Sequence, residues 1–94
     1  MAVLVKFLGS LRHVSRVHEL ALDYKEHVSI GELVNELTNK LPELKRSLID
    51  QQLEDLRSNA LILVNGREIS VLNGLETKLK NGDEIVFVPV VHGG

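Results

Sequence analysis

Ile85-Val86-Phe87-Val88-Pro89-Val90-Val91 is the run that decides the fold. Five of its seven residues are β-branched and none is charged, which describes a strand with neighbours on both sides rather than an edge. A second run of this kind opens the chain: residues 2–8 set Val3, Val5 and Phe7 against Leu4, Lys6 and Leu8, and read as a central strand buried on both faces. Two central strands at opposite ends of a 94-residue chain have one sheet to share. Placed side by side they run parallel, and the segment between them must supply the crossover.

Working outward from these strands, Gly9-Ser10 breaks the first run, and a polar connection through Arg12, His13 and Ser15 is expected to follow. Residues 18–24 place Leu20 and Leu22 opposite Glu19, Ala21 and Asp23, the alternation of an edge strand returning in a hairpin. Ser29 with Glu32 three residues later reads as a capping box that opens a helix. Ile30, Leu33, Val34, Leu37 and Leu41 then recur on one helical face, with Glu32, Asn35, Glu36 and Lys40 opposite. Pro42 removes a ladder donor, so the helix is expected to stop near Lys40 or Leu41, with a short second helical turn carrying Leu44, Leu48 and Ile49. Residues 51–59 read as polar loop and residues 60–64 as a short apolar strand. Asn65-Gly66 suits a tight hairpin turn, residues 67–70 return as a short strand, and Asn73-Gly74 and Asn81-Gly82 mark two further turns.

This order predicts an α+β, ubiquitin-like β-grasp fold: a mixed sheet of four to five strands with one main helix packed on one face. Residues 1–90 form the domain and residues 91–94 a flexible diglycine tail.

Composition removes whole classes of function. With 44% hydrophobic and 26% charged residues, the chain resembles an ordinary globular domain. No apolar run approaches the roughly 18–20 residues of a membrane-spanning helix, and there is no signal-peptide pattern, so the cytoplasm is the expected compartment. The absence of cysteine excludes thiolate nucleophiles, disulfides and cysteine-held zinc or iron–sulfur centres in this chain. Eleven Lys and Arg against thirteen Asp and Glu give no broad cationic field, and Phe7, Tyr24 and Phe87 are the only aromatics, so nucleic-acid binding is not expected. His13 and His18 lack a third ligand in the pattern, and His92 lacks an acid or base partner at recognisable spacing. Neither a metal site nor a catalytic residue is predicted.

What remains is the end of the chain, Val91-His92-Gly93-Gly94. Four extended residues reach about 13–14 Å. Two glycines narrow the tip to bare backbone, which fits a channel too tight for any β-carbon.

Residues 5–12 (Val-Lys-Phe-Leu-Gly-Ser-Leu-Arg), residues 62–66 (Ile-Leu-Val-Asn-Gly) and residues 79–94 together resemble the MoaD/ThiS family of ubiquitin-like sulfur carriers. The resemblance covers nearly the whole chain. Members of the MoaD-like branch often end in Phe, one spacer, two prolines, Val, a small residue and two glycines. Here Phe87-Val88-Pro89-Val90-Val91-His92-Gly93-Gly94 stands in that place, with Val90 for the second proline and His92 for the small residue. The stretch between Pro42 and Asn59 is longer than in the smallest, thiazole-forming carriers, which points to the MoaD-like and archaeal modifier-like branches.

The resemblance implies a protein co-substrate or small non-catalytic subunit rather than an enzyme. Its terminal Gly94 is adenylated at ATP's expense by a ubiquitin-activating-type adenylyltransferase, and a sulfur donor enzyme converts the adenylate to a thiocarboxylate. That sulfur would serve molybdenum cofactor (molybdopterin) biosynthesis or tRNA thiolation. ATP and magnesium belong to the partner, and no cofactor is expected in this chain. Further implied partners are the large subunit of molybdopterin synthase or the lysines of target proteins, the latter making the chain a protein modifier. Gly93, His92, Val91 and Pro89 carry tail recognition, and matching family positions assign docking to Phe7, Arg12 and Val88. A non-covalent β-grasp interaction module is the third reading, and it predicts that the diglycine is dispensable.

Overall fold

A computed structural model describes residues 1–48 and 60–90 of the chain. In it β5 (Glu84–Pro89) runs between β1 (Ala2–Phe7) and β3 (Ala60–Val64), with β2 (Glu19–Asp23) and β4 (Arg67–Glu68) at the two edges. The sheet order is β2-β1-β5-β3-β4. β1 and β5 are parallel, with Phe7 level with Phe87, and the other pairings are antiparallel. The two runs that set the prediction are therefore the second and third strands of five, and the fold is the β-grasp, with the parallel pair at its centre.

The helix expected after Ser29 is α2 (Ile30–Lys40), following α1 (Leu11–Ser15) in chain order. Its Ser29 Oγ accepts the Glu32 amide at 3.1 Å, which satisfies one of the free N–H groups of the first turn. Ile30, Leu33, Val34 and Leu37 are buried against the sheet. Each contributes roughly 1.5–3 kcal/mol by leaving water. The helix stops at Lys40, and α3 (Pro42–Leu48) begins on the proline itself, where a missing N–H costs nothing. Leu44 from α3 is fully buried. Most of the rest of the core comes from alternate sheet positions, Val3, Val5 and Phe7, Ala60, Ile62 and Val64, and Ile85 and Phe87, and Leu11, Ile69 and Leu79 complete it.

Four expectations are corrected. First, β1 is not buried on both faces: Val3, Val5 and Phe7 are buried under the helices, while Leu4 and Lys6 on the other face are only half-buried. Second, the connection after Gly9 is α1, a single helical turn that tucks Leu11 and Ser15 inward and ends at Arg16 in the left-handed conformation, φ 63°. Third, the return after Asn65-Gly66 is a two-residue strand, because the chain turns into a 3₁₀ segment at Ile69–Val71 to bury Ile69. Fourth, β5 ends at Pro89 and not at Val91. The turn itself is as expected, with φ positive at both Asn65 and Gly66. Ile49, the loop at residues 51–59 and the tail at residues 91–94 lie outside the described residues.

Candidate functional site

The site of interest is the end of the central parallel pair. Leu8 donates its amide to the Phe87 carbonyl at 3.0 Å, the last bond of the β1–β5 ladder. On the other flank Pro89 is level with Ala60 of β3. The chain therefore leaves the sheet at Pro89 from between its two neighbours, five residues before Gly94. At the same end β1 turns through Gly9 into α1, and the Arg12 amide donates to the Gly9 carbonyl at 3.1 Å. Arg12 is exposed on α1, beside this exit.

Strand alternation separates the three residues expected to dock a partner. Val88 lies on the sheet face that no described helix covers, opposite Leu61 of β3, which is 41% exposed. Leu63 and Val86 form the next pair on that face, and Lys6 and Glu84 close it with an ion pair at 3.2 Å. Phe7 instead faces the helices and is 1% exposed, its ring stacked on Phe87. The expectation for Phe7 is corrected accordingly: its side chain belongs to the core and offers a partner no surface. Arg12 and Val88 remain accessible, Val88 half-buried. Pro89, expected in tail recognition, is half-buried at the exit, and Val91, His92, Gly93 and Gly94 lie outside the described residues. Leu61, Leu63 and Val86 went unnoticed in the sequence, although the alternation within residues 60–64 and 84–89 already puts them on Val88's face.

Two ionisable groups with displaced pKa values lie on a different part of the molecule. The Tyr24 hydroxyl donates to Glu36 Oε2 at 2.6 Å, tying the end of β2 to α2. Burial, then the Glu36 carboxylate, pushes the phenol up, while the same hydrogen bond holds the carboxyl below its usual range against an opposing effect of burial, with help from Lys40. This pair is structural. His13 sits on α1 and His18 just before β2, both exposed, and among the described residues no three metal-ligating side chains cluster. Nor, among the described residues, is any helix long and apolar enough to cross a membrane.

A ubiquitin-like body with its central strand delivered to one end defines a class of small carrier and modifier proteins, and the comparisons narrow it. The sequence profile of the ThiS family matches residues 5–94, so the chain belongs to that family. A putative sulfur carrier protein of Archaeoglobus fulgidus is 34% identical over 99 residues and is covered, like this chain, in full. Ubiquitin-related modifier 1 of Vanderwaltozyma polyspora is 31% identical over 100 residues, covering 98% of this chain and 97% of its own. The solution structure of small archaeal modifier protein 1 from Methanosarcina acetivorans superposes with a TM-score of 0.82 at 36% identity, over 99% of this chain and 96% of that one.

Proposed function

We propose that this protein is a sulfur carrier whose Gly94 carboxylate is charged by a separate adenylating enzyme. The observation that supports this most is the exit at Pro89, which releases the chain from the middle of the sheet with five residues to the diglycine end. Those residues reach at most about 18 Å when extended. The family profile running through Gly94 and the similarity to a putative sulfur carrier support the same reading.

A carboxylate is a poor electrophile because it is ionised at neutral pH, with an α-carboxyl pKa of about 3.3–3.7. Its oxygen attacks the α-phosphorus of ATP, pyrophosphate leaves, and the acyl adenylate carries AMP as leaving group. A persulfide sulfur on the donor then attacks the carbonyl and expels AMP, forming an acyl disulfide. A second thiol cleaves that disulfide, taking up the donor sulfur as a new disulfide and freeing the thiocarboxylate. The thiocarboxylate passes its sulfur to a molybdopterin precursor or to a tRNA base. The body supplies position, with Arg12 and Val88 as docking residues beside the exit and Gly93, His92, Val91 and Pro89 read by the partner's channel.

Intact mass measured after incubation with ATP, the cognate activating enzyme and a sulfur donor tests the proposal. An oxygen-to-sulfur mass increase at the C-terminus is expected, and an unchanged mass overturns it. A second reading, conjugation to lysines through Gly94, draws support from the relatives named as modifiers. It predicts target lysines that carry residues 81–94 as a branched remnant after tryptic digestion of the native proteome, since Lys80 is the last tryptic site before Gly94.

A further inference from the structure

Gly9 and Pro89 meet at the exit. Gly9 has φ +57°, and a β-carbon built on it would stand 2.9 Å from Pro89 Cγ, closer than real β-carbons pack, and 3.5 Å from Cδ, an ordinary contact. The parallel register, with Leu8 N–H on the Phe87 carbonyl, makes the amide of residue 89 the next donor, aimed at the Leu8 carbonyl. Proline has no amide proton, and the Leu8 carbonyl instead accepts the Leu11 amide at 3.2 Å, inside the turn that starts α1. The β1–β5 ladder is thus ended from both sides at one point. At that point Pro89 lies level with Ala60 on one flank and against the face of Gly9 on the other.

We infer that Gly9 is a positioning residue for the tail: its missing side chain seats the Pro89 ring, and the seated ring sets the direction in which the chain leaves the body after Pro89. This rests on the carrier reading of Gly94. A β-carbon at position 9 pushes the ring off its seat and swings the start of the tail. A terminus already within reach of ATP is then presented off line, and reaction in an active site tolerates such misplacement poorly.

The left-handed backbone at Gly9 is a separate reason for glycine, so the experiment must separate strain from contact. Gly9→Ala carries both. Adding Pro89→Ala removes Cγ and Cδ and relieves the contact, yet leaves the strain. Wild type, Gly9→Ala, Pro89→Ala and the double variant are compared as substrates in ATP–pyrophosphate exchange by the cognate activating enzyme. Melting temperature and the amide NMR shifts of residues 90–94 are recorded in parallel. Gly9→Ala is expected to lower kcat roughly ten- to a hundredfold with little change in KM, because docking through the body is intact. In the Pro89→Ala background the same substitution should cost less than about threefold, while the loss of melting temperature persists in both backgrounds. The tail amides should shift in Gly9→Ala relative to wild type, but not between Pro89→Ala and the double variant. An equal kcat loss in both backgrounds, or a lower melting temperature with unchanged kcat and tail shifts, overturns the inference and leaves Gly9 a turn residue. A wild type that is never charged, with tail shifts that still follow the Gly9–Pro89 contact, overturns the carrier reading alone.

Discussion

The rings of Phe7 and Phe87 stack across the parallel seam with centroids 5.4 Å apart and planes 16° from parallel. They are level in register, both face the helices, and both are at most 1% exposed. The pair joins the first strand to the last directly below the point where the chain leaves the sheet.

Truncating one ring therefore opens a cavity in the seam. Phe87→Ala is expected to destabilise the fold by about 3–5 kcal/mol, a large share of the total stability of a small domain. Guanidinium unfolding measures this, and a loss below about 1 kcal/mol would show that the seam is not the centre of the core.

The Tyr24–Glu36 bond predicts a pH dependence. Glu36 has a lower pKa folded than unfolded, so its contribution is complete above the unfolded carboxyl value of about 4.3 and disappears as pH falls through the folded value. Tyr24 has a higher pKa folded than unfolded, so stability is complete below about pH 10 and declines above it. Tyr24→Phe is expected to cost about 1 kcal/mol at neutral pH and to flatten both limbs. Denaturation from pH 2 to 11 for both proteins checks this, and identical acid limbs would refute it.

Ser29→Ala removes the acceptor of the Glu32 amide at the start of α2. A loss of about 1 kcal/mol is expected in chemical denaturation. Ser29→Asp should restore most of it, because a carboxylate oxygen can cap the same amide.

Gly66 has φ +86°, and a β-carbon added there would have no neighbouring atom within 4 Å, so a substitution meets strain and no clash. Gly66→Ala is expected to cost about 1–2 kcal/mol. Asn65→Ala should cost at least as much. It loses the bonds from Asn65 Nδ2 to Asp83 Oδ1 and from the Glu84 amide to Asn65 Oδ1, both 2.9 Å, as well as Asn's tolerance of positive φ. Equal stability of Gly66→Ala and wild type would contradict the turn geometry.

Gly94→Ala tests the tail chemistry. The added methyl is expected to block adenylation in a channel shaped for bare backbone while the melting temperature stays that of the wild type. Activation at the normal rate would refute the steric argument.

Much of the body was legible because the information is local. Alternation along residues 18–24, the short apolar run at residues 60–64, the helical period from Ile30 to Leu41, the Ser29 cap, the proline stop and the Asn65-Gly66 turn each depend on residues a few positions apart. α1 escaped notice because one helical turn buries only two positions, and one of them, Ser15, is polar and satisfied by donating to the Val17 carbonyl at 2.8 Å. The site was less legible than the fold. Phe7 sits in a motif that also carries exposed residues, and nothing in the motif tells which side of the sheet each residue faces.

Local period and turn chemistry were enough to determine two apolar strands at the chain's ends, a helix between them, and a diglycine for them to present. The tertiary structure alone decided that Phe7 faces inward and Val88 outward, and that Gly9 touches Pro89 across 80 positions of sequence. The physical reason is that a strand's two faces are equivalent until register and a covering helix distinguish them, and register is a property of pairs of strands rather than of either one.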